Sequence, residues 1–149
     1  RFKEARQDFT FTTDIIVGFP QETEDDFQES LEIVHAVEFA KVHIFPYSER
    51  PKTRASFMPN KVAPSEIKRR KALLQEEATK ASFSLRERFL GQTLTVLTEQ
   101  SEGRSGTYGH TEQFLEVFIP ECEIPSNECV SVRVVGNTKE GLIGKCLNS

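Results

Sequence analysis

A short motif between residues 14 and 23 combines residue types that build ligand sites at the end of a buried strand. It runs Asp14-Ile-Ile-Val-Gly-Phe-Pro-Gln-Glu-Thr23. Its aliphatic run predicts a strand covered on both faces, Gly18 lets the backbone approach a neighbour closely, and Thr23 can cap a following helix. Loops at the carboxyl ends of parallel strands build the ligand sites of α/β folds. Spacing alone also fits an ordinary strand-to-helix junction.

A second candidate is a basic stretch between residues 50 and 71. It contains a single acid, Glu66, and eight basic side chains: Arg50, Lys52, Arg54, Lys61, Lys68, Arg69, Arg70 and Lys71. Basic groups that neutralise phosphates release counterions, so this composition is typical of a polyanion-binding surface. The alternative is a solvated loop and helix start.

Composition indicates a globular chain of one ordinary domain or two small ones. The chain has 149 residues, of which 37% are hydrophobic and 28% are charged, and its net charge is −4. We find no low-complexity tract, no run that could span a bilayer and no signal peptide, so we expect a cytoplasmic protein without a membrane partner. Since the sequence begins at Arg1 and a strand follows almost at once, we expect a fragment of a longer protein.

The cysteines do not form a metal-binding pattern. Cys122, Cys129 and Cys146 are unevenly spaced and include no C-x-x-C pair. We therefore expect reduced thiols and no metal site within the chain.

The first half of the chain predicts a β-α-β unit. After the strand at residues 14–17, apolar residues recur at helical spacing from Thr23 to Val37, and Lys41–Phe45 form a second strand. A helical crossover of this kind implies parallel strands. Two strands and one helix cannot enclose a core, so either more sheet lies before Arg1 or the unit packs on the rest of the chain.

A long helix and a run of short strands follow. Ser65 is a suitable N-cap and Gly91 a suitable end for the helix, and we expect its heptad-spaced apolar stripe to be a packing face. From Gln92 onward, alternating apolar residues and frequent turns predict five strands in a small closed barrel, such as an OB-fold. Its binding face could include Arg104, Tyr108, His110, Phe114 and Arg133.

Three ordered motifs carry a family resemblance. Residues 12–27, 43–55 and 58–62 closely resemble the last part of the radical S-adenosylmethionine methylthiotransferases. The barrel, through Val96-Leu-Thr-Glu99 and residues 109–117, resembles the TRAM domain that closes those enzymes. Within the family, Phe45-Pro-Tyr-Ser48 and Met58-Pro-Asn60 are most similar to the branch that methylthiolates N6-threonylcarbamoyladenosine at position 37 of tRNA.

The resemblance implies the fold, the cofactors and the partners. The fold is α/β plus all-β: the C-terminal strands of a partial β/α radical domain (1–63), a connector helix (64–90) and a five-stranded OB-like TRAM barrel (91–149). The complete enzyme would use S-adenosylmethionine and two 4Fe-4S clusters to act on tRNA. The cluster cysteines would lie outside this chain, so we expect the chain to be inactive alone. The unpaired edge at Asp14 predicts a dimer or a strand swap.

Residue roles also follow from the resemblance, with no catalytic residue and no metal ligand in the chain. The positions implied to contact the cofactor are Gly18, Phe19, Pro20, Glu22, Ile44, Phe45 and Tyr47. Arg50 and Arg54 suit a tRNA phosphate or the threonylcarbamoyl carboxylate, since a guanidinium pairs with either anion. The full set of expected RNA contacts is Arg50, Lys52, Arg54, Lys68, Arg69, Arg70, Arg104, His110, Phe114 and Arg133.

Two positions depart from the family's usual sequence, and several alternative functions stay open. Gln21 and Lys52 stand where the family generally has glycine, so a loop that needs φ > 0 at either position would have to rearrange. One alternative function is a non-catalytic RNA-binding module. Two others keep the enzyme but change its substrate to isopentenyladenosine tRNA or a ribosomal protein. The basic stretch argues against a protein substrate.

Overall fold

The computed structural model describes residues 8–100, 105–120 and 122–147. The described elements are β1 (Thr12–Val17), α1 (Glu24–Val37), β2 (Lys41–Pro46), a 3-10 turn (Ala55–Phe57), α2 (Pro64–Glu87), β3 (Thr93–Glu99), β4 (Thr107–Thr111), β5 (Glu116–Ile119), β6 (Cys129–Asn137) and β7 (Leu142–Cys146). They divide into two compact units. One is Thr12–Ala81, and the other contains the described residues before Thr12 together with those from Ser82 on.

The first unit is a parallel β-α-β arrangement, as the sequence predicts. β1 and β2 pair in parallel, from Thr12 opposite Lys41 to Val17 opposite Pro46. One face of this sheet packs on α1 and on the first part of α2. The buried cluster contains Val17, Phe27, Leu31, Val34, Leu74, Ala78 and Ala81.

The other face of the β1–β2 sheet is exposed, so the prediction of a strand covered on both faces is wrong for this structure. Burial alternates along both strands, and Ile16 and Phe45 keep 54% and 51% of their surface exposed. A run of aliphatic residues fits a doubly buried strand, but the described residues of this unit supply helices for only one side. No described strand pairs with the outer edges of β1 and β2.

The helix starts follow local capping rules, with one correction. Thr23 caps α1 as predicted, since its hydroxyl accepts from the Asp26 N–H while the Asp26 carboxylate accepts from the Thr23 N–H. The predicted cap at Ser65 is wrong, because α2 begins at Pro64. The first two bonds of α2 run from Glu66 and Ile67 to the Ala63 carbonyl. Proline suits the first helical position because no partner is needed for its missing N–H.

The second unit confirms the small closed barrel. Its strands follow the order β3-β4-β5-β7-β6, and β6 pairs back to β3. The β5–β7 pairing is parallel and the other pairings are antiparallel. This five-stranded arrangement is OB-like. Of the alternating apolar residues in this part of the sequence, Val130 is only half-buried, and the others are buried: Leu94, Val96, Leu115, Val117, Ile119, Val132 and Val134.

Both positions that depart from the family's glycines adopt the left-handed backbone. Gln21 has φ 74° and Lys52 has φ 65°. The turn at Gln21 also keeps a tertiary hydrogen bond, because the Gln21 N–H donates to the Asn60 carbonyl over 3.0 Å. Gln21 and Lys52 therefore have the positive φ that glycine adopts easily, although their Cβ atoms make this conformation strained.

We predict that Gln21→Gly and Lys52→Gly each stabilise the chain by about 1 kcal/mol, because glycine removes the left-handed penalty. Chemical denaturation of the single variants measures the change. Gln21→Ala and Lys52→Ala are the matched controls, since alanine removes the long side chain and keeps the Cβ atom. Equal stabilisation by alanine and glycine would contradict backbone strain as the cause.

Candidate functional site

The turn after β1 is organised by a carboxylate that folds back onto it. Glu22 Oε2 accepts a hydrogen bond from the Gly18 N–H over 2.8 Å. The Glu22 N–H donates to the Phe19 carbonyl over 2.9 Å, and the Tyr47 N–H donates to the Val17 carbonyl over 2.8 Å. The end of β1 and the segment after β2 are thereby joined into one small surface.

Gly18 is required by packing as well as by backbone angle. It has φ 76°, and an added Cβ atom would lie 2.3 Å from Cγ1 of Ile67 on α2. The close neighbour expected at this glycine is therefore the side chain of Ile67. A larger residue at position 18 would have to displace the side chain of Ile67.

Arg70 of α2 fixes the carboxylate that shapes this turn. Only 5% of Arg70 is exposed. Its Nη1 donates to Glu22 Oε2 over 2.6 Å and to the Glu22 carbonyl over 3.2 Å, while Nε donates to Glu66 Oε1 over 2.9 Å. Burial opposes the charge of the guanidinium, but the hydrogen bonds with Glu22 and Glu66 outweigh it, so the pKa of Arg70 is raised.

Arg69 joins the same cluster from the solvent side. It pairs with Glu66 over 2.7 Å and with Glu24 over 2.8 Å. The hydrogen bond from Arg69, followed by that from Arg70, lowers the pKa of Glu66 from its ordinary 4.5 to about 2. Arg69 and Arg70, both expected to contact RNA, are thus bound to carboxylates of their own chain.

We predict a specific acid dependence from Glu66. Its pKa is depressed in the folded chain, so its contribution to stability is complete above about pH 4.5 and is lost as the pH falls towards 2. Glu66→Gln should flatten the loss of stability over this window, as measured by denaturation at several pH values. Glu76→Gln is the control, because Glu76 is also on α2 and its ion pair is with the exposed side chain of Lys80. Unchanged acid dependence in Glu66→Gln would contradict the role of this cluster.

The positions implied to contact the cofactor are only partly brought together. Phe19 and Tyr47 meet edge to face, with ring centroids 5.3 Å apart. Phe45 lies on the exposed face of the sheet, whereas Ile44 packs on the opposite face against the buried cluster, and Pro20 is buried. The Tyr47 hydroxyl is buried and has no hydrogen-bond partner among the described residues. A bound polar ligand could supply that missing partner.

The remaining basic residues of the loop are open to solvent. Arg50, Lys52 and Arg54 are exposed, and within the described ranges their side chains form no ion pair. Lys68 on α2 is exposed in the same way. Lys61 differs, because it pairs with Glu49 over 2.5 Å. The three cations of the 50–54 loop are therefore open to solvent, whereas Arg69 and Arg70 of α2 are paired with carboxylates of the chain.

The barrel carries aromatic side chains that could stack on bases, but acidic side chains lie close to them. Tyr108 and Phe118 stack with ring centroids 4.5 Å apart. His110 beside them lies 2.7 Å from Glu99 and 3.7 Å from Glu116. Phe114 and Arg133 are exposed, and Arg133 faces Lys145 across β6 and β7. Arg104 lies outside the described residues.

The described residues do not fit an iron–sulfur cluster. In residues 8–100, 105–120 and 122–147, no group of three or more His, Cys, Asp or Glu could hold a metal ion. Burial, followed by hydrogen bonding with Cys122, raises the pKa of the Cys146 thiol to about 11, so it is a neutral thiol at physiological pH. No described helix is long and apolar enough to cross a bilayer.

Two further residues, Glu24 and Phe57, belong to these surfaces although no sequence motif indicates them. Glu24 forms ion pairs with both Arg69 and Arg70. The pairs of Glu66 with the same two arginines could be predicted from the sequence, because their i, i+3 and i, i+4 spacing brings them together on one helix. Phe57 is 80% exposed and follows the open cations in the chain. A phenylalanine within a polar basic loop was the signal for that residue.

The sequence of the chain is similar to parts of curated proteins named as tRNA methylthiotransferases. No protein-family model matches the chain. The chain is 42% identical over 143 residues to threonylcarbamoyladenosine tRNA methylthiotransferase MtaB of Thermotoga maritima. The matched region covers 96% of this chain and 32% of that protein. The MtaB protein of Chlamydia pneumoniae is 38% identical over 97% of this chain and 34% of its own length.

A second group of relatives carries a different name. The tRNA-2-methylthio-N(6)-dimethylallyladenosine synthase of Endomicrobium trichonymphae is 41% identical over 67% of this chain and 24% of its own length. The chain thus spans about a third, or less, of the curated relatives that it matches.

Proposed function

This chain belongs to the methylthiotransferase family, and we propose that it contributes the last strands of a catalytic domain and an RNA-binding barrel to an enzyme that methylthiolates tRNA. The chain's similarity to named tRNA methylthiotransferases along nearly its whole length supports this assignment. The observation that carries it is the bare, apolar sheet face that adjoins the Gly18–Glu22 turn.

The bare face fits an incomplete barrel. Ile16 on β1 and Phe45 on β2 are more than half exposed, although their strands are well formed. Both outer edges of this two-stranded sheet are unpaired within the described part of the chain. We propose that neighbouring strands of the complete enzyme extend the sheet and that this face then lines the interior, where the cofactor binds.

The chain's residues would hold the nucleoside end of S-adenosylmethionine. That cofactor, together with two 4Fe-4S clusters, supplies the radical chemistry of the family, and the described residues contain no ligand set for a cluster. Phe19, Phe45 and Tyr47 offer aromatic surface to an adenine ring, and no described residue forms a hydrogen bond with the Tyr47 hydroxyl. Glu22 acts indirectly, because its carboxylate already binds the Gly18 N–H and Arg70.

The tRNA would be held by the open cations. Arg50, Lys52 and Arg54 follow the carboxyl end of β2, on the segment whose Tyr47 N–H is bonded to the end of β1. Their unpaired charges suit phosphates, and a guanidinium would also suit the threonylcarbamoyl carboxylate. Arg69 and Arg70 fit this role less well, because Glu22, Glu24 and Glu66 already occupy their donors.

We propose N6-threonylcarbamoyladenosine at position 37 as the substrate nucleoside. Relatives named for this nucleoside match 96–97% of the chain at 38–42% identity. A relative named for dimethylallyladenosine matches 99% of the chain at 31% identity, and two others at 41% identity match 67% and 70% of the chain. The difference favours the threonylcarbamoyl branch over the isopentenyl branch.

The proposal predicts a defined change in tRNA when the gene is deleted. The 2-methylthio group should disappear from threonylcarbamoyladenosine and the unmethylthiolated nucleoside should accumulate, as measured by mass spectrometry of digested tRNA. Restoring the complete gene with Arg50→Gln and Arg54→Gln should lower the methylthiolated fraction severalfold compared with the unaltered gene.

The charge-matched control is Arg133→Gln with Lys145→Gln on the barrel, which should restore the nucleoside more fully. An unchanged nucleoside profile after deletion would contradict the proposed substrate. Loss of the methylthio group from isopentenyladenosine instead would reassign the branch. No change in either nucleoside would favour a non-catalytic RNA-binding role.

A further inference from the structure

Phe57 is the most exposed large apolar side chain among the described residues. It keeps 80% of its surface exposed, whereas the next, Phe114, keeps 66%. It lies at the end of the short 3-10 turn Ala55–Phe57. A phenylalanine that is largely exposed gains little from folding, so its position needs a reason outside the buried core.

The turn that carries Phe57 is held by its own hydrogen bonds. The Thr53 hydroxyl donates to the Arg50 carbonyl over 2.8 Å and accepts from the Ser56 N–H over 3.3 Å. The Ser56 hydroxyl donates to the Thr53 carbonyl over 2.7 Å, and the Phe57 N–H donates to the Arg54 carbonyl over 3.1 Å. The ring of Phe57 is therefore presented on an ordered turn, so less conformational entropy is lost on binding.

The same turn carries a cation three residues before the ring. Side chains three residues apart lie one above the other along a 3-10 turn, and Arg54 precedes Phe57 by three residues in helical backbone geometry, with φ −56° and ψ −40°. Arg50 and Lys52 lie on the preceding part of the loop. Within the described residues, none of these side chains forms an ion pair and Phe57 contacts no other ring.

An exposed aromatic ring among unpaired cations matches the chemistry of single-stranded nucleic acid. Each nucleotide brings one phosphate for a cation and one base face for a ring, and stacking on an aromatic residue is tolerant of sequence. A protein partner would not need three cations on the loop that carries one ring, and a lipid surface would not need a single rigid ring. The charge of the loop thus selects an unpaired RNA segment as the occupant.

We propose that Phe57 is a base-stacking residue that binds an unpaired nucleotide of the tRNA while Arg54, Arg50 and Lys52 hold the adjoining phosphates. This inference rests on the proposed tRNA substrate and adds to it a particular contact. It assigns to the 50–57 loop the binding of single-stranded RNA next to the nucleoside that is modified.

Two probes of equal charge test the stacking contact with the 149-residue chain. One is a fluorescently labelled octamer of riboadenylate, and the other is an abasic octamer with the same sugar-phosphate backbone. Phe57→Ser should weaken binding of the riboadenylate by about tenfold and leave binding of the abasic octamer unchanged, since one stacked base is lost. Phe57→Trp should restore riboadenylate binding or improve it.

Arg54→Gln is the matched variant for the phosphate contact, and it should weaken both probes and reduce the salt dependence of binding. Ile33→Ser is the control for general loss of an exposed apolar side chain, because Ile33 is 55% exposed on α1, and it should change neither probe. The unfolding temperature of each variant, measured in parallel, verifies that the chain is folded.

The outcomes separate this inference from the proposed function. Equal riboadenylate binding by Phe57→Ser and the unaltered chain overturns the stacking contact, and an equal loss with both probes does so too. Conversion of a dimer to a monomer by Phe57→Ser, measured by sedimentation, shows that a second copy covers the ring and also overturns the contact. Failure of the proposed function appears instead as an unchanged nucleoside profile after gene deletion.

Discussion

The arrangement of the first unit depends on one buried ion pair. Arg70 reaches from α2 to Glu22 in the turn after β1, and Glu22 in turn accepts the Gly18 N–H. Taking a guanidinium and a carboxylate out of water is costly, and removing one partner would leave the other charge buried and uncompensated. The pair therefore fixes the position of α2 against the turn more strictly than apolar contacts alone would. The tight fit of Ile67 on Gly18 depends on the same placement.

This constraint also separates the basic residues by role. A count of charges treats residues 50–71 as one cationic stretch, but the structure assigns Arg69 and Arg70 to carboxylates and leaves Arg50, Lys52 and Arg54 open. The internal pairs shape a loop at the end of a strand. The open cations lie on a hydrogen-bonded turn that also carries an exposed ring. A single stretch of sequence thus serves both the geometry of the turn and the charge of the surface.

Much of the fold was predictable because its signals are local. Thr23 with Asp26 defines a capping box, apolar residues at helical spacing define the buried side of α1, and alternation from Leu94 to Val134 defines the inside of the barrel. The start of α2 was missed because Ser65 is a good cap on its own, while Pro64 just before it already suits the first helical turn. The exposure of Ile16 was missed because an aliphatic strand looks the same whether one or both faces are covered.

The site was less predictable, because it depends on contacts between distant residues. Arg70 and Glu22 are 48 positions apart, and nothing in either local sequence indicates the pair. The substitution of Gln21 and Lys52 for glycine suggested rearranged loops, yet both residues accept positive φ. Local preference was overridden there by the surrounding bonds, such as the one from the Gln21 N–H to Asn60. Tertiary constraint of this kind is visible only in three dimensions.

Arg70 holds the turn after β1 through Glu22. Amide hydrogen exchange at Gly18, compared between the unaltered chain, Arg70→Met and Arg69→Met, measures this role, because Arg69 shares the partners Glu24 and Glu66 but does not contact Glu22. We expect faster exchange at Gly18 in Arg70→Met alone, with protection of Val96 and Val132 in the barrel retained. Equal protection of Gly18 in all three proteins would contradict it.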